Sequence, residues 1–193
     1  GEDYDGRLEQ VGWSSTGFDD SEWEPVKVVD QPDVIMDSQL MPPIRVVETL
    51  EPRVKINPEP GLFLYDLEQN IPGWWRLTVS GENGTEIKIR GAETLNNDLF
   101  PKTLEDGDSL STDKQYHADV WTTYTLNGNG EEVYEPRFFY SGFRYIEVQI
   151  DKPDAVESFE IEGRVVHSDL ERTSSFGSSN TLLNQICEAA IWS

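Results

Sequence analysis

Apolar residues in the middle of this chain recur at every second position, the period of a strand with one buried face. Residues 74–80 read Trp-Trp-Arg-Leu-Thr-Val-Ser. Trp75, Leu77 and Val79 therefore share one face, and Trp74, Arg76 and Thr78 the other. Ile87 and Ile89 share a face within residues 85–90, and the intervening Gly81-Glu82-Asn83-Gly84 carries an Asn-Gly turn signal. The spacing predicts a hairpin between residues 74–80 and 85–90. Further along, Tyr145, Glu147 and Gln149 alternate with Ile146, Val148 and Ile150, which directs the aliphatic set to the core. Other strand-like stretches lie at 44–50, 62–67, 120–126, 132–134, 138–140 and 159–167, with a second Gly-rich turn at 127–130. Many short strands, two Gly-rich turns and little helix predict an all-β fold, an antiparallel β-sandwich of jelly-roll type with a short C-terminal helix.

The pattern changes at both ends. Residues 1–43 are acidic, interrupted by Gly and Pro, and show no long period, so they read as a lead-in: the tail of a preceding β domain. Residues 44–172 are the sandwich. Residues 173–193 read as a linker and a helix leading towards a missing catalytic domain. Ser178-Ser179-Asn180 offers an N-cap, and Leu182, Leu183, Ile186, Ala189 and Ala190 follow at helical spacing. A helix docked on the sandwich is the alternative. Residues 93–115 are polar and turn-rich, and read as a long surface loop.

Composition narrows the partners. Fifteen basic and 37 acidic residues give a formal charge of −22. Such a surface repels phosphate backbones and anionic lipid, so neither nucleic acid nor a membrane is an expected partner. A neutral glycan meets no such penalty. The single cysteine, Cys187, excludes an intrachain disulfide, which fits a reducing compartment and equally a periplasmic protein without disulfides. Aromatic residues make up 11% of the chain, including six Trp, so rings can supply much of the buried area.

Two segments carry a specific resemblance. One runs from Tyr65-Asp66-Leu67-Glu68-Gln69-Asn70-Ile71-Pro72-Gly73-Trp74-Trp75-Arg76 through Gly84-Thr85 to Ala92-Glu93. The other comprises Tyr124-Thr125-Leu126-Asn127-Gly128, Tyr134-Glu135-Pro136-Arg137-Phe138 and Ser141-Gly142-Phe143-Arg144-Tyr145-Ile146-Glu147-Val148. Both resemble the concanavalin-like β-sandwich domain that precedes the catalytic barrel in bacterial α-L-rhamnosidases of glycoside hydrolase family 78. Glu68 stands where a Gly is common, and Ser141 where a His is common. The resemblance implies a parent enzyme that removes terminal α-L-rhamnosyl groups with inversion, using two carboxylates on an (α/α)6 barrel. It places no catalytic residue in this chain. The partners it implies are the catalytic and neighbouring β domains of the same polypeptide and a rhamnosylated glycan, with a periplasmic or extracellular parent favoured.

Individual residues allow sharper hypotheses. Trp74 and Trp75 are adjacent on a strand, so one faces the core, and the other can stack on a sugar or meet a neighbouring domain. Asp106, Asp108 and Asp113 could hold calcium, although a solvated loop explains them as well and the closing Glu of an EF-hand is missing. No other cofactor is expected. Asp66, Glu93, Glu135 and Glu147 could include an acid/base pair, or could bond backbone and arginine partners such as Arg76, Arg137 and Arg144. His117 and His167 lack the neighbours a zinc site needs. Cys187 reads as a small buried apolar group. The leading expectation is a non-catalytic interdomain module; the alternative is a carbohydrate-binding module using exposed aromatics.

Overall fold

The structure, a computed structural model, describes residues 1–95 and 120–192. Nine strands within them belong to one sheet: β1 (Glu2–Asp5), β2 (Ile44–Leu50), β3 (Val54–Glu59), β4 (Leu62–Gly81), β5 (Glu86–Ala92), β6 (Thr122–Thr125), β7 (Glu131–Tyr134), β8 (Ser141–Ile150) and β9 (Val156–Ser168). One helix, α1 (Thr181–Trp192), follows. The sheet order is β1-β6-β5-β8-β4-β9-β2, with β3 and β7 also paired to β4. All pairings are antiparallel except that of β1 with β6.

The central element is β4, a continuous strand of 20 residues. Residues 62–73 of it pair with β8, and residues 73–81 pair with β9. β3 adds to its first part and β7 to its last. One strand thereby serves both walls, and the sheet curls around a main apolar cluster, with a smaller one of Leu64, Ala92, Leu95 and Tyr145 beside it. Between Asp66 and Ile71 the register against β8 shifts. Glu68 adopts φ 62° in that bulge, the left-handed region that a Cβ disfavours. Its N–H donates to Asp66 Oδ1 at 2.7 Å, which holds the turn. Further on, Gly73 crosses so close to β9 that a Cβ would meet the Arg164 carbonyl oxygen.

The predicted alternation holds on the inward faces. Trp75, Leu77, Val79, Ile87, Ile89, Ile146 and Val148 are all buried in one cluster. Trp75 is wholly enclosed; its indole N–H donates to Thr122 Oγ1 at 2.9 Å. Its ring lies 4.5 Å from that of Phe139 and edge-on to Phe143 at 5.5 Å. At one margin Lys55 Nζ sits 5.0, 5.5 and 5.1 Å from the ring centroids of Phe63, Tyr65 and Phe159, a cationic cover over rings that would otherwise face water.

Four expectations need correcting. Residues 74–80 and 85–90 do not pair. The Gly81–Gly84 turn exists, but its N–H groups bond outward, Glu82 to the Ala155 carbonyl at 2.8 Å and Gly84 to that of Leu126 at 2.9 Å. The turn carries the chain from β9's neighbour to a place between β6 and β8, so the two apolar faces meet across the core. Residues 62–67 and 74–80 are one strand. Residues 138–140 are a loop, with Phe139 turned inward. Cys187 is partly exposed.

Helix α1 begins where the sequence places it, with Asn180 Oδ1 accepting the Leu182 N–H at 3.0 Å. None of its residues is fully buried; Leu182, Leu183 and Ile186 are exposed, and Trp192 alone of the helix packs against the core. The lead-in likewise leaves Val26, Val28, Ile35 and Leu40 about nine-tenths exposed. Among the described residues no helix is long and apolar enough to cross a membrane.

The strained bulge yields a prediction. Glu68→Gly removes the Cβ clash while keeping the N–H bond to Asp66, so it should raise stability by about 0.5–1 kcal/mol in urea unfolding. An unchanged or lower midpoint would show that the Glu68 side chain offsets its backbone strain.

Candidate functional site

Three groups of polar side chains stand out. The first lies on the outward face of β4 and β9. Trp74 is opposite Arg164 in the register, and Arg76 opposite Glu162. Glu135, just after β7, reaches across to this face. Its Oε2 accepts the Trp74 indole N–H at 3.0 Å. Arg76 Nε and Arg164 Nε each lie 3.7 Å from a Glu135 oxygen, close enough for attraction but beyond a hydrogen bond. Both Nε atoms are buried and have no hydrogen-bond partner among the described residues. Arg164 Nη1 donates to Thr49 Oγ1 at 2.6 Å. Tyr140, exposed in the same loop as Glu135, donates its hydroxyl to the Val166 carbonyl at 3.1 Å.

The second group lines a cleft of about 860 Å³ between the N-terminal residues and β6–β7. The rings of Tyr124 and Tyr134 stack at 4.8 Å, and Tyr4 extends the stack. Trp13 and Phe138, both exposed, form its rim. Two carboxylates pin it. Glu132 accepts from the Tyr124 hydroxyl at 2.8 Å and from the N–H groups of Asn127 and Gly128 at 2.9 and 3.0 Å. Glu2 accepts from the Tyr134 hydroxyl at 3.0 Å and from the N–H groups of Arg137 and Phe138 at 2.8 and 2.7 Å. Burial, with Glu132 beside Tyr124 and Glu2 beside Tyr134, pushes both phenols well above their ordinary pKa; burial alone does the same to Tyr65.

The third group holds the corner of β4. Asp66 is fully buried and accepts two bonds from Arg144, at 2.7 and 2.8 Å. That carboxylate raises the Arg144 pKa further. Nearby Glu147 accepts from Arg90 at 3.1 and 3.0 Å and from Gln149 at 3.1 Å. Glu93 accepts from Asn70 at 3.0 Å.

The four carboxylates singled out in the sequence thus each engage a donor. The structure brings Arg76 to Glu135 and Arg144 to Asp66, whereas Arg137 contributes its backbone N–H to Glu2. Trp75 is the inward ring and presents no surface to a ligand; Trp74 is the half-buried, outward one. Asp106, Asp108, Asp113 and His117 lie outside the described residues. Among the described residues no three His, Cys, Asp or Glu side chains gather as metal ligands. Sequence reasoning missed Glu2, Glu132, Arg90 and Arg164. Only Glu132, beside the 127–130 turn, had a local signal, since such turns need acceptors for their N–H groups.

Comparison with known proteins decides the family. The bacterial alpha-L-rhamnosidase concanavalin-like domain matches residues 56–167, more than half of the chain. This chain belongs to that family. Residues 1–48 match the alpha-L-rhamnosidase N-terminal domain. An alpha-L-rhamnosidase of Streptomyces avermitilis is 40% identical over 194 residues, covering 100% of this chain and 18% of that protein. Among solved structures, the alpha-L-rhamnosidase from Dictyoglumus thermophilum matches with a TM-score of 0.82 and 40% identity, over 100% of this chain and 21% of that one. The Streptomyces avermitilis alpha-L-rhamnosidase complexed with L-rhamnose matches with a TM-score of 0.81 and 40% identity, over 100% and 18%. The chain therefore spans about a fifth of the length of the relatives it matches.

Two predictions follow from the buried groups of this rhamnosidase-family sandwich. Arg144→Met strands the Asp66 carboxylate in the protein interior and should cost about 3–5 kcal/mol in urea unfolding, a loss that Asp66→Asn in the same chain partly restores. The tyrosines set a limit at high pH. Their folded pKa values lie above the unfolded value of about 10, so the stability they contribute is complete below that pH and is lost as pH rises beyond it. Phenolate absorbance should therefore show a delayed fraction that appears together with loss of strand circular dichroism. Full ionisation before unfolding would contradict the burial assignment.

Proposed function

We propose that this chain is a non-catalytic interdomain module of an α-L-rhamnosidase that hydrolyses terminal α-L-rhamnosyl groups from glycosides or polysaccharides. The observation that carries this reading is the match of the whole chain to about a fifth of rhamnosidases that are much longer. On this reading residues 1–43 are a lead-in, 44–172 the sandwich and 173–193 a linker and connecting helix, with β1 of the lead-in joining the sandwich sheet. The carboxylates support the reading as well: Asp66, Glu132 and Glu147 are each engaged by two or more donors within the chain, which suits a structural role better than proton transfer. The bare apolar side chains of residues 26–40 and of α1 are surfaces that neighbouring domains of the same polypeptide would cover. The purified chain should release no rhamnose from an aryl rhamnoside, while the full-length polypeptide should. Turnover by the chain alone would overturn the reading.

A second reading has its own observation, the aromatic cleft rimmed by Trp13 and Phe138. Rings beside polar atoms are what a sugar-binding module presents. Under this reading a rhamnosylated oligosaccharide would titrate the chain with saturable heat at about millimolar concentration, lost in Trp13→Ala. Absence of any heat in that range would leave the interdomain role alone.

A further inference from the structure

We propose that Asn129 is a site of spontaneous covalent modification: the Gly130 backbone nitrogen attacks the Asn129 side chain, and the amide becomes an aspartyl or isoaspartyl acid. The fold selects this position from three that are chemically alike.

The reaction is internal to the turn and consumes only water. The Gly130 nitrogen gives up its proton to solvent base and bonds to Asn129 Cγ. The Cγ–Nδ2 bond breaks, and Nδ2 takes up a proton and leaves as ammonia. One water then opens the five-membered succinimide at either carbonyl, giving aspartate or isoaspartate. Three conditions must be met. The attacking nitrogen must be free of other bonds, the asparagine side chain must be free to turn over it, and the ring must have room. Glycine in the second position helps, because it carries no Cβ to cover its own nitrogen.

The chain holds three Asn-Gly pairs, Asn83-Gly84, Asn127-Gly128 and Asn129-Gly130. The three glycines have similar positive φ, at 76°, 76° and 97°, so backbone handedness does not separate them. Hydrogen bonding does. Gly84 N–H donates to the Leu126 carbonyl at 2.9 Å, and Asn83 Nδ2 donates to the Asn127 carbonyl at 2.7 Å. Gly128 N–H donates to Glu132 Oε1 at 3.0 Å, and Asn127 Oδ1 accepts the Asn129 N–H at 2.8 Å. In both pairs the nitrogen and the side-chain amide are tied elsewhere. Neither tie exists in the third pair. Among the described residues, the Gly130 N–H and the Asn129 side-chain amide have no hydrogen-bond partner.

Space points the same way. A Cβ on Gly128 would lie 2.6 Å from the Asn83 nitrogen, so the two tied pairs are packed against each other. A Cβ on Gly130 would meet nothing within 4 Å, and Asn129 and Gly130 are both exposed. The acid formed adds a negative charge to a chain of formal charge −22, two residues before Glu131. Its isoaspartyl form also lengthens the backbone by one methylene. Both changes fall beside the turn that Glu132 binds together with the Tyr124 hydroxyl.

Ageing of the folded full-length polypeptide at mildly alkaline pH, followed by peptide mapping with mass spectrometry, tests this. Exchange of amide for acid should appear at Asn129 about tenfold faster than at Asn83 or Asn127, the factor that releasing one hydrogen-bonded backbone nitrogen carries. An endoproteinase that cuts before aspartate should leave the isoaspartyl part of the product uncut. In urea, where the turns are lost, the three asparagines should react at comparable rates. Equal rates at all three in the folded protein, or no reaction at Asn129, would overturn the assignment. So would an equal lead for Asn129 in urea, since flanking sequence rather than fold would then select it. None of these outcomes bears on whether the chain is catalytic or binds sugar.

Discussion

Asp66 sits where β4 leaves one wall of the sandwich for the other. A strand of 20 residues cannot stay straight and serve both walls, so it needs a corner, and a corner exposes backbone groups that lose their ladder partners. Asp66 answers this with a charge. One oxygen satisfies the Glu68 N–H inside the bulge, and both oxygens clamp Arg144 of β8 on the other side of the register shift. The carboxylate is fully buried and its cost is offset only because all these donors converge on it. Everything downstream of the corner, including the depth of Trp75 and the outward aim of Trp74, depends on the phase it sets.

The same rule governs two further acids, Glu132 and Glu2. Glu132 and Glu2 also accept backbone N–H groups together with a side-chain donor, and both bind irregular segments, the 127–130 turn and the 135–138 loop. Carboxylates here replace the ladder where the ladder stops. This explains how an acidic chain folds despite its net repulsion: some of its negative charge is invested in backbone that strands cannot satisfy. Glu135 differs. Like Glu147, it engages side chains only.

Period-two patterning is a local property, and the faces of β4, β5 and β8 were legible because a residue's side of a strand depends on its immediate neighbours. Pairing is not local. The Asn83-Gly84 turn looked like a hairpin because its residues suit φ > 0, but whether a turn folds a strand back in its own plane or across a core is set by who bonds its N–H groups, here Ala155 and Leu126. The same limit hid the sites. Trp74 was visible as an outward ring, and Glu135 as a motif carboxylate, yet Arg164 joins them only through the β4–β9 register. The aromatic cleft needs Tyr4 beside Tyr124, a juxtaposition no spacing rule foretells. β3 alternates only over Val54-Lys55-Ile56-Asn57 before Pro58 interrupts it, too short a run to reveal a strand.

The parallel pairing of β1 with β6 gives the sandwich an unusual order of assembly. Glu2 lies beside Thr122, so the strand that a ribosome releases early finds its place only after most of the sheet has been made. Until then the edge of β6 stays open, and with it the Tyr124 and Tyr134 rings that Tyr4 later covers. Residues matched to one domain family extend the sheet of another. The two domains are therefore not beads on a string: whatever folds ahead of residue 44 must leave its strand free to be handed across.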